Sequence, residues 1–119
     1  MKKTLVLGAS ENPSRYSYLA MNKLQSKGHE VAAVGLRDGS VNGIAISKEQ
    51  KAFEDIDTVT LYLNPANQKQ YYDYILSLHP KRVIFNPGTE NDELMEKLEE
   101  NDIQPVEACT LVMLSTGQY

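Results

Sequence analysis

The 119-residue sequence has no tryptophan and one cysteine, Cys109. A single thiol excludes an internal disulfide and suits a reducing compartment. Long apolar runs are also missing, and none approaches the ~20 residues of a membrane span. Met1-Lys2-Lys3 followed by Thr4–Leu7 opens like a secretory signal, but the run stops at Gly8 and meets Glu11 and Arg15. That is short of an h-region of about 7–15 residues. The expectation is a cytoplasmic protein, complete from its first strand, with no membrane contact. Basic charge is scarce: 12 Lys and Arg stand against 16 Asp and Glu, a net charge of -4. General nucleic-acid binding is disfavoured, because such proteins carry a basic footprint. There is no Walker A lysine motif, no H-E-x-x-H, no cysteine pair and no G-x-S-x-G. Nor is there a repeat, linker or low-complexity segment, so residues 1–119 read as one domain.

What is present is alternation. Thr4–Leu7, Glu30–Val34, Thr58–Leu63, Arg82–Phe85 and Pro105–Glu107 are short apolar runs of the kind that form buried strands. Helical patterns lie between them. From Tyr16 to Ser26 the positions Tyr16, Leu19, Ala20 and Leu24 share a face, and Gly28 sits where a glycine ends a helix. Asn64-Pro65 is a cap followed by a first-turn proline, with an inward stripe of Tyr71, Tyr74, Ile75 and Leu78. Another helix starts near Asn91 or Asp92 and buries Leu94, Met95 and Leu98. Leu36 to Ile56 reads as irregular: a turn at Asp38-Gly39-Ser40, an extended piece from Val41 to Ile46, a helical turn or two over Lys48–Phe53. The whole predicts a doubly wound α/β fold, a five-stranded parallel sheet in the order 3-2-1-4-5 between two helical layers. In such sheets ligands bind beyond the carboxyl ends of the strands, where the order reverses.

The loops at those ends are unusual. Gly8 follows the first strand as the first glycine of a G-x-G-x-x-G fingerprint would, but Ser10 and Pro13 replace the second and third. Gly8, Ala9 and Ser10 are small enough for close approach, the next helix offers free N–H groups to a phosphate, and Arg15 adds a cation. NAD-binding folds place an acid about 20 residues further on, at the end of the second strand. Here that stretch is Val34-Gly35-Leu36-Arg37, which lowers NAD and favours a ligand carrying a ribose phosphate. Asn64 caps the helix after the third strand, Gly88 opens the loop after the fourth, and Cys109 follows the fifth. His29 and His79 fall on the side away from these loops, so the usual general base is lacking. The residues describe a binding site rather than a reaction centre, with no catalytic or metal-ligating set.

The segments "VLGASENPSRYSY", "HEVAAVGLR", "TVTLYLNP", "RVIFNPGTEN" and "VEACTLVML" cover nearly the whole chain in order. In them the sequence resembles the small single-domain coenzyme A (CoA)-binding proteins, whose Rossmann-like domain is similar to that of the succinyl-CoA synthetase α subunit. The resemblance implies that Gly8, Ala9, Ser10, Asn12, Arg15 and Tyr18 line the nucleotide part of a CoA site. It matches Asn86, Pro87, Gly88 and Asn91 to the loop after the fourth strand, and Cys109 to a cysteine after the last. Relatives carry a basic run after the second strand where this chain has Gly35-Leu36-Arg37, and Gln-x-Gly where it has Asn86-Pro87-Gly88. The expectation is non-catalytic binding of CoA or an acyl-CoA, with a regulatory use. Alternatives are an NADP-binding reductase or subunit of an acyl-CoA enzyme, and an interaction protein that has lost its ligand. No protein partner is indicated.

Overall fold

The computed structural model describes residues 2–119. Its strands are β1 (Thr4–Ala9), β2 (Val31–Gly35), β3 (Gly39–Val41), β4 (Ile44–Ser47), β5 (Thr58–Leu61), β6 (Arg82–Phe85) and β7 (Gln104–Glu107). The helices are α1 (Tyr16–Ser26), α2 (Pro65–Gln68), α3 (Tyr72–Leu78), α4 (Asp92–Glu100) and α5 (Thr110–Ser115), with a 3-10 turn at Lys69–Tyr71. Side chains of a strand alternate between faces. Leu5 and Leu7 of β1 therefore meet α3 and α4 through Ile75, Leu94 and Leu98. Val6 points the other way, to Met21 and Leu24 of α1 and Leu114 of α5. Helices thus cover both faces of the sheet.

The sheet has seven strands in the order β3-β4-β2-β1-β5-β6-β7. This corrects the expected five strands in the order 3-2-1-4-5. The strand at Thr58–Leu61 pairs with β1, not with the outer edge of β2. The place beside β2 is taken by β4, in parallel register through Ala33 with Ile46 and Val34 with Ser47. The supposedly irregular segment is a hairpin. Val41, Ile44 and Ile46 are buried beside α1, and the two-residue turn Asn42-Gly43 has φ values of 48° and 81°. Paired left-handed residues give the turn twist that suits a tight hairpin. β3 is its antiparallel outer strand. Lys48–Phe53 holds no helix; the chain returns through Phe53 and Ile56, which pack on the α3–α4 side.

The stripe of α1 is also rotated. Ser17, Ala20, Met21 and Leu24 are buried, while Tyr16 and Leu19 are exposed. The buried set follows the i, i+3, i+4, i+7 spacing of one face, which Tyr16 and Leu19 flank.

The amino-terminal end of the sheet is closed by Tyr119. Its ring lies 4.5 Å from the Arg82 guanidinium and 4.9 Å from the His29 ring. Its hydroxyl meets the Thr4 hydroxyl, and its backbone oxygen accepts from Arg82 Nη2 at 2.8 Å and from Lys2 Nζ. Both sheet edges are short: β3 has three residues, and β7 has four, with Pro105 among them. No helix among the described residues is long and apolar enough to cross a membrane.

Candidate functional site

Strand order reverses at β1: the chain runs from β1 out through β2 to β4, then returns to β5 on the other side. A crevice of about 800 Å³ opens there, at the carboxyl ends. Its first wall is the loop from Gly8 to Arg15. Gly8 has φ +97°, and a Cβ on it would lie 3.0 Å from the carbonyl carbon of Tyr62. Only glycine both adopts that conformation cheaply and lets the chain leaving β5 pass so close. The register between β1 and β2 slips at this point, between Leu7 and Ala9.

Beyond Gly8 the loop braces itself. The Asn12 N–H donates to Ser10 Oγ at 3.0 Å, and Asn12 Oδ1 accepts from the Ser14 N–H at 3.0 Å and Oγ at 2.8 Å. Arg15, not Ser14, occupies the cap position of α1, and no side chain caps the helix. No acid stands in its first turn. The first N–H groups and the positive end of the helix dipole therefore face the crevice unneutralised. Arg15 and Arg37 both line it, and among the described residues neither forms an ion pair. Asp38 does not hold Arg37: its Oδ1 accepts from the Lys48 N–H at 2.9 Å.

The far wall comes from the loops after β5 and β6. Asn64 Oδ1 accepts from the Asn67 N–H at 3.0 Å and caps α2. Gln68, 0% exposed, joins the two loops. Its Nε2 donates to Leu63 O and Thr89 O, each at 2.8 Å, and its Oε1 accepts from Asn91 Nδ2 at 2.9 Å. Asn91 also donates to Tyr72 Oη and caps α4 through the Leu94 N–H. Burial raises the Tyr72 pKa, and Glu93, which accepts from its hydroxyl, raises it further.

Of the residues singled out in the sequence, Gly8, Ala9, Ser10, Asn12, Arg15, Arg37, Asn64, Pro87 and Gly88 line the crevice. Five others serve the fold beside it. Tyr18 packs against the Val6 side of the core. Gly35 is buried in β2 opposite Ala9. Asn86 is buried, donating to Thr60 Oγ1 and Leu61 O and accepting from the Thr110 N–H. Asn91 holds Gln68. Cys109 is half-buried at the cap of α5, outside the lining.

Glu11, Tyr16, Leu36 and Asn67 line the crevice without having been singled out, and Tyr62, the aromatic residue that closes the third apolar run with Leu63, lines it too. Tyr16 is 71% and Leu36 64% exposed; a large side chain at the first position of α1 and another in the loop after β2 were the signal available for them. The Tyr62 hydroxyl is buried without a hydrogen-bond partner, and burial pushes its pKa up to about 12. The neighbouring Thr60 and Thr110 hydroxyls bond each other at 2.8 Å. Among the described residues no cluster of His, Cys, Asp or Glu could hold a metal.

Comparison with known proteins agrees with this arrangement. The model of a CoA binding domain matches residues 2–115. The chain belongs to the CoA-binding domain family. The family domain thus spans β1 through α5. Among solved structures, that of an uncharacterized protein is similar at 60% identity and a TM-score of 0.98, covering 100% of this chain and 98% of that one. A conserved hypothetical protein from Pyrococcus furiosus is similar at 25% identity and a TM-score of 0.82, with 94% and 98% covered. A Thermus thermophilus protein at 22% identity and a TM-score of 0.88 shares the fold, with 99% and 90% covered. No functionally curated protein matches.

Proposed function

We propose that this CoA-binding domain binds CoA or an acyl-CoA in the carboxyl-end crevice and catalyses no reaction on it. The observation that carries the reading is the uncapped start of α1 behind Gly8, flanked by two arginines without carboxylate partners. Such a helix start takes a diphosphate. Arg15 would add a charge-assisted bond to it, and Arg37 would take the phosphate on the ribose. The pantetheine arm would then run along the wall of Asn64, Asn67 and Gly88, where nothing lies within 4 Å of a Cβ built on Gly88. Binding without turnover is supported by the two histidines: His29 packs against Tyr119 at the amino-terminal end, and His79 ends α3 just before β6. A cytoplasmic, regulatory read-out of CoA or acyl-CoA completes the proposal.

Arg37 would also suit the ribose phosphate of NADP, so the test compares ligands. Native mass spectrometry of freshly purified protein should show CoA or an acyl-CoA carried along. In thermal melts CoA should raise the Tm above the shifts given by NADP and NAD. Saturation at ~100 times Kd stabilises by about 2.7 kcal/mol, several degrees for a domain of this size. An equal or larger shift with NAD overturns the proposal, and a larger shift with NADP replaces it.

A further inference from the structure

We propose that Glu11 is a specificity-determining residue: it accepts a hydrogen bond from the ribose 2′-hydroxyl beside the phosphate taken by Arg37. The inference rests on reading the crevice as a CoA site. Dinucleotide folds draw their ribose carboxylate from the end of the second strand, and here that stretch is Leu36-Arg37. The structure brings a carboxylate to the same region from another loop. Glu11 lies between β1 and α1, yet its Oε2 accepts the N–H of Ser40 in β3 at 3.0 Å. The side chain crosses directly over Gly39, where a Cβ would stand 2.6 Å from Oε1 and 2.8 Å from Cγ. A residue at position 39 with any side chain would push Glu11 aside.

Ser40 thus fixes one carboxylate oxygen, and nothing among the described residues donates to the other. Glu11 and Arg37 both line the crevice, and neither forms an ion pair among the described residues. An open acceptor and an open guanidinium, three positions apart from Arg37 to the Ser40 that anchors Glu11, match a ribose that carries a hydroxyl next to a phosphate. CoA presents that pair at its 2′ and 3′ carbons. A carboxylate near phosphates is costly unless a donor meets it, and the hydroxyl supplies one.

The test is calorimetric titration of adenosine 3′,5′-bisphosphate and its 2′-deoxy analogue into the parent, Glu11→Ala and Gly39→Ala proteins. The parent should bind the hydroxylated ligand about tenfold more tightly, the usual scale for a hydrogen bond to a charged group. In Glu11→Ala the two affinities should converge. Gly39→Ala keeps the charge but displaces it, and the ratio should collapse there too. A ratio near one in the parent, or a ratio retained in Glu11→Ala, overturns the assignment and leaves Glu11 a clip between loop and hairpin. If the parent binds neither nucleotide, CoA itself is titrated. Binding of CoA then preserves the site and removes the Glu11 role, and no binding overturns both.

Discussion

At Gly8 the backbone is left-handed and pressed against Tyr62, whereas Arg15 projects from the cap of α1 with no fold partner. The two should fail differently. Gly8→Val should lower the Tm by several degrees and abolish CoA binding together, since strain at such a position costs on the order of 1–3 kcal/mol. Arg15→Ala should leave the Tm unchanged and weaken CoA binding by about 1.5–3 kcal/mol. Tyr62 offers a third test. Its buried, unpartnered hydroxyl predicts that Tyr62→Phe is neutral or stabilises by up to about 1 kcal/mol in a thermal melt. Tyr62 and Tyr74, both pushed up to about 12 mainly by burial, hold their protons more tightly when folded. Their contribution is therefore complete below the unfolded value near 10 and is lost as pH rises through 10 to 12. Tyrosinate absorbance should appear late and together with unfolding. At this scale the sequence was legible for Gly8 and Arg15 because their positions follow from the strand-to-helix turn. Asn86 and Asn91 were read as facing a ligand, but a sequence does not say which way a side chain turns. Both turn inward to satisfy backbone and side-chain groups.

Among elements, the two loops of the far wall are tied together by Gln68, which is bonded to both. Gln68→Leu would leave the Asn91 amide short of a partner and two buried carbonyls without their donor. It should cost at least about 2 kcal/mol and speed amide exchange in the Leu63–Asn67 and Gly88–Asn91 segments. Arg15 and α1 share none of these bonds, so adenosine 3′,5′-bisphosphate should lose less affinity than CoA. The missed hairpin was the most readable of the errors. Asn42-Gly43 between Val41 and Ile44 is a strong local turn signal, but its flanking strands of three and four residues are too short to stand out by periodicity. Their pairing with β2 depends on contacts far along the chain. Glu11's reach to Ser40 was illegible for the same reason, because it exists only once that hairpin is in register.

For the molecule as a whole, the two ends of the sheet have opposite characters. The crevice opens at the carboxyl end, and the amino-terminal end is sealed by Tyr119, Arg82, Lys2 and His29. His29 Nδ1 accepts the Lys2 N–H at 3.0 Å. Burial, and then nearby cations including Lys2 and Arg82, lower its pKa. Folding favours the neutral ring, so its contribution is full above the unfolded value near 6.5 and is lost as pH falls below it. The Tm should drop on acidification through pH 6, and the drop should shrink in His29→Gln. The layered architecture was legible because alternating apolar runs leave few ways to bury them, whereas the strand order turned on the unrecognised β3–β4 hairpin.

The short rims of the sheet have a consequence for crowded or concentrated conditions. On one side a three-residue strand ends the ladder, and on the other Pro105 removes an amide from a four-residue one. Neither border offers a long row of free amides and carbonyls for a foreign strand to copy. Edge templating of fibrils is therefore disfavoured at both margins.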